Sequence, residues 1–263
     1  ETDRNGKLGG LVPGLANWGT KRGNALTRPV LEKIAGVHRD AELPKFHGTP
    51  FTERAKHSPP AINREAPAFG RKAVIFATCF ANYNNPGIGE AALSVLAKNG
   101  VETEVSYPGC CGMPQLEQGD LARVAEQART VAAKLKPYID QNKDIIAVVP
   151  SCALMMKFEW PLIVPEDENV QALARATDVT VVERCSGHGG SWGIKKENFE
   201  VATKFARQTV RKAADADKLY LASECPLAGK HLAQGFEKLD GPTQKTVQAL
   251  HPIQILAKAY DLA

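Results

Sequence analysis

Tyr107-Pro-Gly-Cys-Cys-Gly-Met-Pro114 sets two adjacent cysteines, Cys110 and Cys111, between Gly109 and Gly112. Neighbouring side chains on a strand point to opposite faces, so an ordinary core strand would not give both thiols one environment. A tight turn flanked by glycines can bring both sulfurs onto one object. Just upstream, Val101-Glu-Thr-Glu-Val-Ser-Tyr107 alternates and reads as a strand that delivers the pair. Further upstream, Ala73-Val-Ile-Phe-Ala-Thr-Cys79 is an apolar run of strand length that ends in Cys79. Downstream, Asp144-Ile-Ile-Ala-Val-Val149 reads the same way and leads into Pro150-Ser-Cys152. Between these runs lie two helical stripes. Ile88, Ala92, Val95 and Leu96 make one face of a helix over 86–99, closed by Gly100. Leu121, Val124, Ala128, Val131 and Leu135 make the other, and that helix should stop near Pro137.

Strands alternating with helices predict an α/β fold with a parallel sheet. Such sheets bind their ligands beyond the carboxyl ends of the strands. Cys79, Cys110, Cys111 and Cys152 should therefore converge there, although they are scattered along the chain. Taken singly, Cys79 or Cys152 would read as a small buried apolar residue. Together the four thiols suit an iron–sulfur cluster or zinc.

The scheme recurs. Thr180-Val-Val-Glu-Arg-Cys185 and Lys218-Leu-Tyr-Leu-Ala-Ser-Glu-Cys225 are further strands ending in cysteine, separated by a helix striped with Phe199, Ala202, Ala206 and Val210. Cys185-Ser-Gly187 aligns with Cys110-Cys-Gly112, Ser186 standing where the second cysteine would be. The pattern is a duplicated half-domain of roughly 80 residues. Gly187-His-Gly-Gly-Ser-Trp-Gly193 reads either as a strand-to-helix turn or as a nest of backbone N–H groups, and His188 and His231 are candidate nitrogen ligands of a second site with Cys185 and Cys225. The second copy lacks a first strand. Leu154 to Val179 carries no cysteine, and the join into Thr180 is so abrupt that residues are expected to be missing near 179–180.

The expected organisation is an irregular arm with one or two short helices over 1–70, a first repeat over 71–160 and a second, degenerate repeat over 161–263. In the arm, Val30, Leu31 and Ile34 have helical spacing and Gly36 fits the C-cap of a helix over 28–35. The proline-rich stretches around Leu43-Pro44 and Ser58-Pro-Pro60 interrupt regular structure. The chain opens on Glu1-Thr-Asp-Arg4, which reads as the interior of a longer protein.

Composition narrows the function classes. Of the 263 residues 43% are hydrophobic and 24% charged, a globular balance, and the net charge of +4 is too small to argue for nucleic acid. No run of apolar residues is long enough for a transmembrane helix. No P-loop, dinucleotide fingerprint or Ser/His/Asp pattern is present. A chain this long does not need disulfide staples, so its six cysteines point to metal ligation in a reducing compartment, the cytoplasm.

Ala77-Thr-Cys79, Tyr107-Pro-Gly-Cys-Cys-Gly112, Pro150-Ser-Cys152 with Leu154-Met-Met-Lys157, Arg184-Cys185 and Glu224-Cys225-Pro226 together resemble the CCG cysteine-rich domain family. That family includes the CCG-repeat subunit of heterodisulfide reductase and the iron–sulfur subunits of anaerobic glycerol-3-phosphate dehydrogenase and glycolate oxidase. The resemblance implies an electron-transfer subunit of an oxidoreductase complex, with a ferredoxin-like domain ahead of the arm. Its implied cofactor is a [4Fe–4S] cluster on Cys79, Cys110, Cys111 and Cys152, with Gly109 and Gly112 beside it. Iron–sulfur or zinc would occupy the second site. Its partner would be a redox protein or flavin dehydrogenase subunit, at the inner face of the membrane without spanning it. In heterodisulfide reductase the last strand ends in C-x-x-C, whereas Cys152 and Cys225 each stand alone here. The alternatives are a cluster-based thiol or disulfide reductase and a zinc-stabilised scaffold without redox chemistry.

Overall fold

The computed structural model describes residues 2–176, 188–215, 220–239 and 247–262. They fall into two compact units, each assembled from separated pieces of chain. The first draws on Glu1–Leu11, Phe46–Val181 and Ile253–Ala263, the second on Val12–Lys45 and Val182–Pro252. Residues 1–70 therefore contribute to both units. They hold four short helices where one or two were expected: α1 (Thr2–Leu11), α2 (Pro13–Thr20), α3 (Arg28–Ala35) and α4 (Phe51–His57).

The first unit is built on a parallel sheet of β1 (Lys72–Phe76), β2 (Glu102–Ser106) and β3 (Asp144–Ala147), in the order β2-β1-β3. The helices α5 (Pro86–Lys98), α6 (Met113–Leu116), α7 (Leu121–Asp140), α8 (Pro150–Leu154), α9 (Trp160–Ile163) and α10 (Glu168–Ala176) complete it. The α/β expectation is met. Ala73, Val74, Ile75 and Phe76 of the central strand are wholly enclosed, as a parallel strand covered on both faces requires. In register, Ile75 faces Val105 on one side and Ile146 on the other. Val124, Ala128, Val131 and Leu135 of α7 are buried as the stripe predicts, with Ala132 beside them, whereas Leu121 at the start of the stripe is 51% exposed. Pro137 does not end that helix, which runs on to Asp140. A proline in the last turn removes one late hydrogen bond and leaves the earlier ladder intact.

All three strands stop short of their cysteines. β1 ends at Phe76 and Cys79 begins a π-helical turn over Phe80–Asn84. β3 ends at Ala147 and Cys152 lies in α8, followed by a second π-helical turn over Met155–Glu159. The expected convergence beyond the sheet survives, but the thiols are carried by the turns rather than by the strands.

The second unit contains α2, α3, α11 (Phe199–Asp215), α12 (Pro226–Glu237) and a pair of two-residue parallel strands, β4 (Leu221–Ala222) and β5 (Ala249–Leu250). The expected strand over 180–185 lies outside the described residues. Of the strand expected over 218–225, the described residues 220–225 hold Leu221–Ala222 as strand, and its partner β5 had no signal strong enough to read in the sequence. α3 ends at Gly36 in the left-handed conformation, as its spacing predicts, but its burial is inverted. Ile34 is 81% exposed, whereas Arg28 is only 2% exposed. The Arg28 guanidinium donates to the carbonyls of Thr20, His38, Arg39 and Ala41 and so ties the surrounding loop together. Among the described residues no helix is long and apolar enough to cross a membrane.

Candidate metal centre

The turns beyond β1, β2 and β3 bring Cys79, Cys110, Cys111 and Cys152 into one buried group, none more than 7% exposed. Cys110 Sγ lies 3.9 Å from Cys79 Sγ, and Cys111 Sγ lies 3.1 Å from Cys152 Sγ. All four are free thiols. The turn that presents Cys110 and Cys111 depends on Gly112, whose φ of +87° is left-handed. A Cβ there would also stand 2.9 Å from Gln127 Oε1. The Gly112 N–H donates to Cys110 Sγ at 3.5 Å. Trp160, fully buried, donates its indole N–H to the Cys111 carbonyl at 2.9 Å and so pins the turn from the far side.

Cys79, Cys110 and Cys111 shift one another's ionisation. Hydrogen bonds from Cys111 and Cys79 hold Cys110 down to about 3, helped by the Gly112 N–H. Cys79 is pushed well above the ordinary thiol range by its hydrogen bond with Cys110 and by burial. Cys111 is pushed up by its bonds with Cys110 and Cys152 and by burial. One negative charge thus rests on Cys110 while neighbouring thiols keep their protons. Ionising the rest without a cation would place several unpaired charges in the interior.

The donor set fits an iron–sulfur group. It is all sulfur, enclosed, and approached by one backbone N–H, that of Gly112. Beside it, Gln115 Oε1 and Gln127 Oε1 are buried without a hydrogen-bond partner among the described residues. Turning the Gln127 amide end for end aims an NH₂ where its carbonyl stands, at the Gly112 turn, and N–H donors suit an anionic sulfur group. A single zinc ion held by four cysteines, with Zn–S near 2.3 Å, would space the sulfurs by about 3.8 Å. The 3.1 Å Cys111–Cys152 contact is shorter than that, and the ligating sulfurs of a [4Fe–4S] cluster stand farther apart still, so binding either group moves these two sulfurs apart. No three His, Cys, Asp or Glu side chains among the described residues are disposed around one metal position.

An aromatic wall closes the Cys79–Cys110 side. Tyr83 forms one buried cluster with Cys79 and Cys110, and Tyr107 packs against that cluster. Tyr107 meets Tyr83 edge-on at 5.6 Å and stacks on Phe76 at 6.5 Å. The Tyr107 hydroxyl donates to Asp3 Oδ1. Burial, with Cys79 nearby, raises the Tyr107 phenol far above its usual range. Trp160, Gln115, Gln127, Tyr83 and Asp3 were not among the residues singled out from sequence. Trp160, Gln127 and Asp3 act through contacts between distant positions that no local spacing reveals.

Residues 73–157 match the family model described as a cysteine-rich domain, CCG. That stretch is similar to the CCG cysteine-rich domain. It holds all four cysteines of the buried group and stops before the expected second repeat. One of the subunits of the anaerobic glycerol-3-phosphate dehydrogenase of Escherichia coli K12 is 18% identical over 286 aligned positions, covering 88% of this chain and 69% of the relative. The corresponding O157:H7 protein aligns equally. One of the subunits of the fumarate reductase (CoM/CoB) of Methanothermobacter marburgensis is 30% identical over 93 positions, covering 35% of this chain and 18% of the relative. No solved structure matches the chain significantly.

Of the second set of candidates, Cys185 lies outside the described residues. His188 and His231 do meet, their rings 5.5 Å apart and nearly perpendicular. Both are buried, and His231 Nε2 faces the Ala202 carbonyl at 3.2 Å. Burial and the His231 ring hold His188 down to about 4, and burial lowers His231 as well. Cys225 stands half-buried at the N-cap of α12, the helix that carries His231.

Proposed function

We propose that this chain is the iron–sulfur electron-transfer subunit of an oxidoreductase complex. The observation that carries the reading is the enclosure of Cys79, Cys110, Cys111 and Cys152 in one group beyond a parallel sheet, inside the stretch similar to the CCG domain. Its relatives are named as subunits of a dehydrogenase and of a reductase, which supports a place in such a complex. Cys79, Cys110, Cys111 and Cys152 would ligate one [4Fe–4S] cluster, which supplies reversible one-electron storage. The chain's own residues set the conditions for that storage. The Gly112 N–H stabilises negative charge on sulfur, Tyr83 and Tyr107 exclude water, and Trp160 holds the Cys111 backbone fixed. The His188–His231 pair with Cys225 would form the second site, holding iron–sulfur or zinc.

A flavin dehydrogenase or another redox protein would supply or take the electron. Val12, Leu15 and Trp18, with Val30 and Ile34 on α3, expose apolar side chains beside Lys21, Arg22 and Lys33. That mixture suits docking on a partner or on an anionic membrane surface. Anaerobic titration of the iron-loaded protein with a low-potential reductant, followed by electron paramagnetic resonance, tests the reading. Reversible reduction by a single electron per cluster supports it. A protein that binds zinc and takes up no electron refutes it.

A second reading, thiol or disulfide reduction, is favoured by the Cys111–Cys152 contact, which puts two thiols within reach of each other. Turnover of a model disulfide that Cys152→Ser abolishes would select it over simple electron transfer.

A further inference from the structure

We infer that α1 is a removable cover over the Cys79–Cys110 side of the sulfur pocket, latched by Asp3 through Tyr107. The inference rests on the proposed function only for what the pocket holds, because the cover and its latch concern the thiols themselves.

Three observations carry it. First, α1 meets the pocket wall through glycines. A Cβ on Gly6 would lie 2.8 Å from Tyr83, and one on Gly9 would lie 2.4 Å from the Phe46 ring. Tyr83 is the residue that packs on Cys79 and Cys110, so the Gly6 face sits directly behind the wall of the pocket. Second, the buried positions of this helix are the glycines, while Leu8 and Leu11 point outward, 53% and 77% exposed. The helix thus has little apolar side-chain burial to hold it down, and glycines at positions 6, 9 and 10 make it a weak helix by itself. Elements with few buried apolar contacts are the ones that open locally without global unfolding. Third, Asp3 bonds the Tyr107 hydroxyl with one carboxylate oxygen, while Lys7 pairs with the other at 3.0 Å. Tyr107 itself meets Tyr83 edge-on and packs against the cluster of Tyr83, Cys79 and Cys110, so Asp3 joins the cover to the wall of the pocket.

A closed cover keeps water and small reagents from Cys79 and Cys110. An open one gives entry to those two sulfurs while Cys111, whose carbonyl Trp160 holds, and Cys152 beside it stay enclosed. Asp3 is a positioning residue, acting on the thiols through Tyr107.

The test is iodoacetamide labelling of the full chain, reduced and stripped of metal with a chelator, with each cysteine followed by mass spectrometry. Gly6→Leu pushes the helix off Tyr83, and Asp3→Ala cuts the latch without adding bulk. In both variants Cys79 and Cys110 should label about tenfold faster than in the parent chain, with Cys225 and Cys152 unchanged. Equal labelling of Cys79 and Cys110 in Asp3→Ala and the parent overturns the inference. So does acceleration that Cys225 and Cys152 share, since that reports general unfolding. The readout uses no iron, so a failure here is distinct from a failure to bind a cluster.

Discussion

Gly112 shows how much of the site depends on single residues. Its left-handed φ turns the chain between Cys111 and α6, and its N–H reaches Cys110 Sγ. Gly112→Ala should cost about 1–3 kcal/mol from backbone strain, read as a lower urea midpoint, together with loss of bound iron. Trp160 acts on the same turn from the other side. Trp160→Phe keeps most of the apolar volume but leaves the buried Cys111 carbonyl without its donor, at a cost of about 1–3 kcal/mol. Its expected signature is faster iron release to a chelator with unchanged stoichiometry. The adjacent cysteines were legible because two thiols between glycines have few other uses. Trp160 was not, because forty-nine positions separate it from the carbonyl it serves.

Elements were legible where burial follows hydrophobicity. The run from Ala73 to Phe76 is a central strand because nothing in it tolerates water, and α7 buries the stripe its spacing lays out from Val124 onward. α3 defeats the same rule. Its apolar residues Val30 and Ile34 face outward, and its buried face is Arg28 with Glu32, which pairs with Arg39. The loop around α3 exposes several carbonyls inward, and one guanidinium with five N–H donors satisfies four of them. Arg28→Met should therefore destabilise the second unit by about 3 kcal/mol or more, since the carbonyls lose their donors. Thermal unfolding followed by hydrogen exchange should place the loss in residues 20–41 and leave β1–β3 protected. The π-helical turns after Cys79 and Cys152 also escaped a reading based on periods of 2.0 and 3.6. They follow directly on thiols of the buried group, where such turns often mark functional sites.

Across the whole molecule, the duplicated cysteine pattern predicted one main site and a second, degenerate one. The first unit gathers four thiols. The second brings His188 to His231 and keeps Cys225 at a helix start, while Cys185 lies outside the described residues. The interleaving of the chain between the units could not be read from composition, because Val12–Lys45 and Phe46 onward differ little in residue type yet belong to different units. The central claim is that Cys79, Cys110, Cys111 and Cys152 bind one iron–sulfur cluster. Native mass spectrometry of the anaerobically purified chain, beside Cys79→Ser, Cys110→Ser, Cys111→Ser, Cys152→Ser and Cys225→Ser, tests it most directly. The account predicts the mass of one [4Fe–4S] cluster at this site on the parent and on Cys225→Ser, and its loss in each of the other four variants. A zinc mass on the parent, or the cluster mass retained in Cys111→Ser and Cys152→Ser, would contradict it.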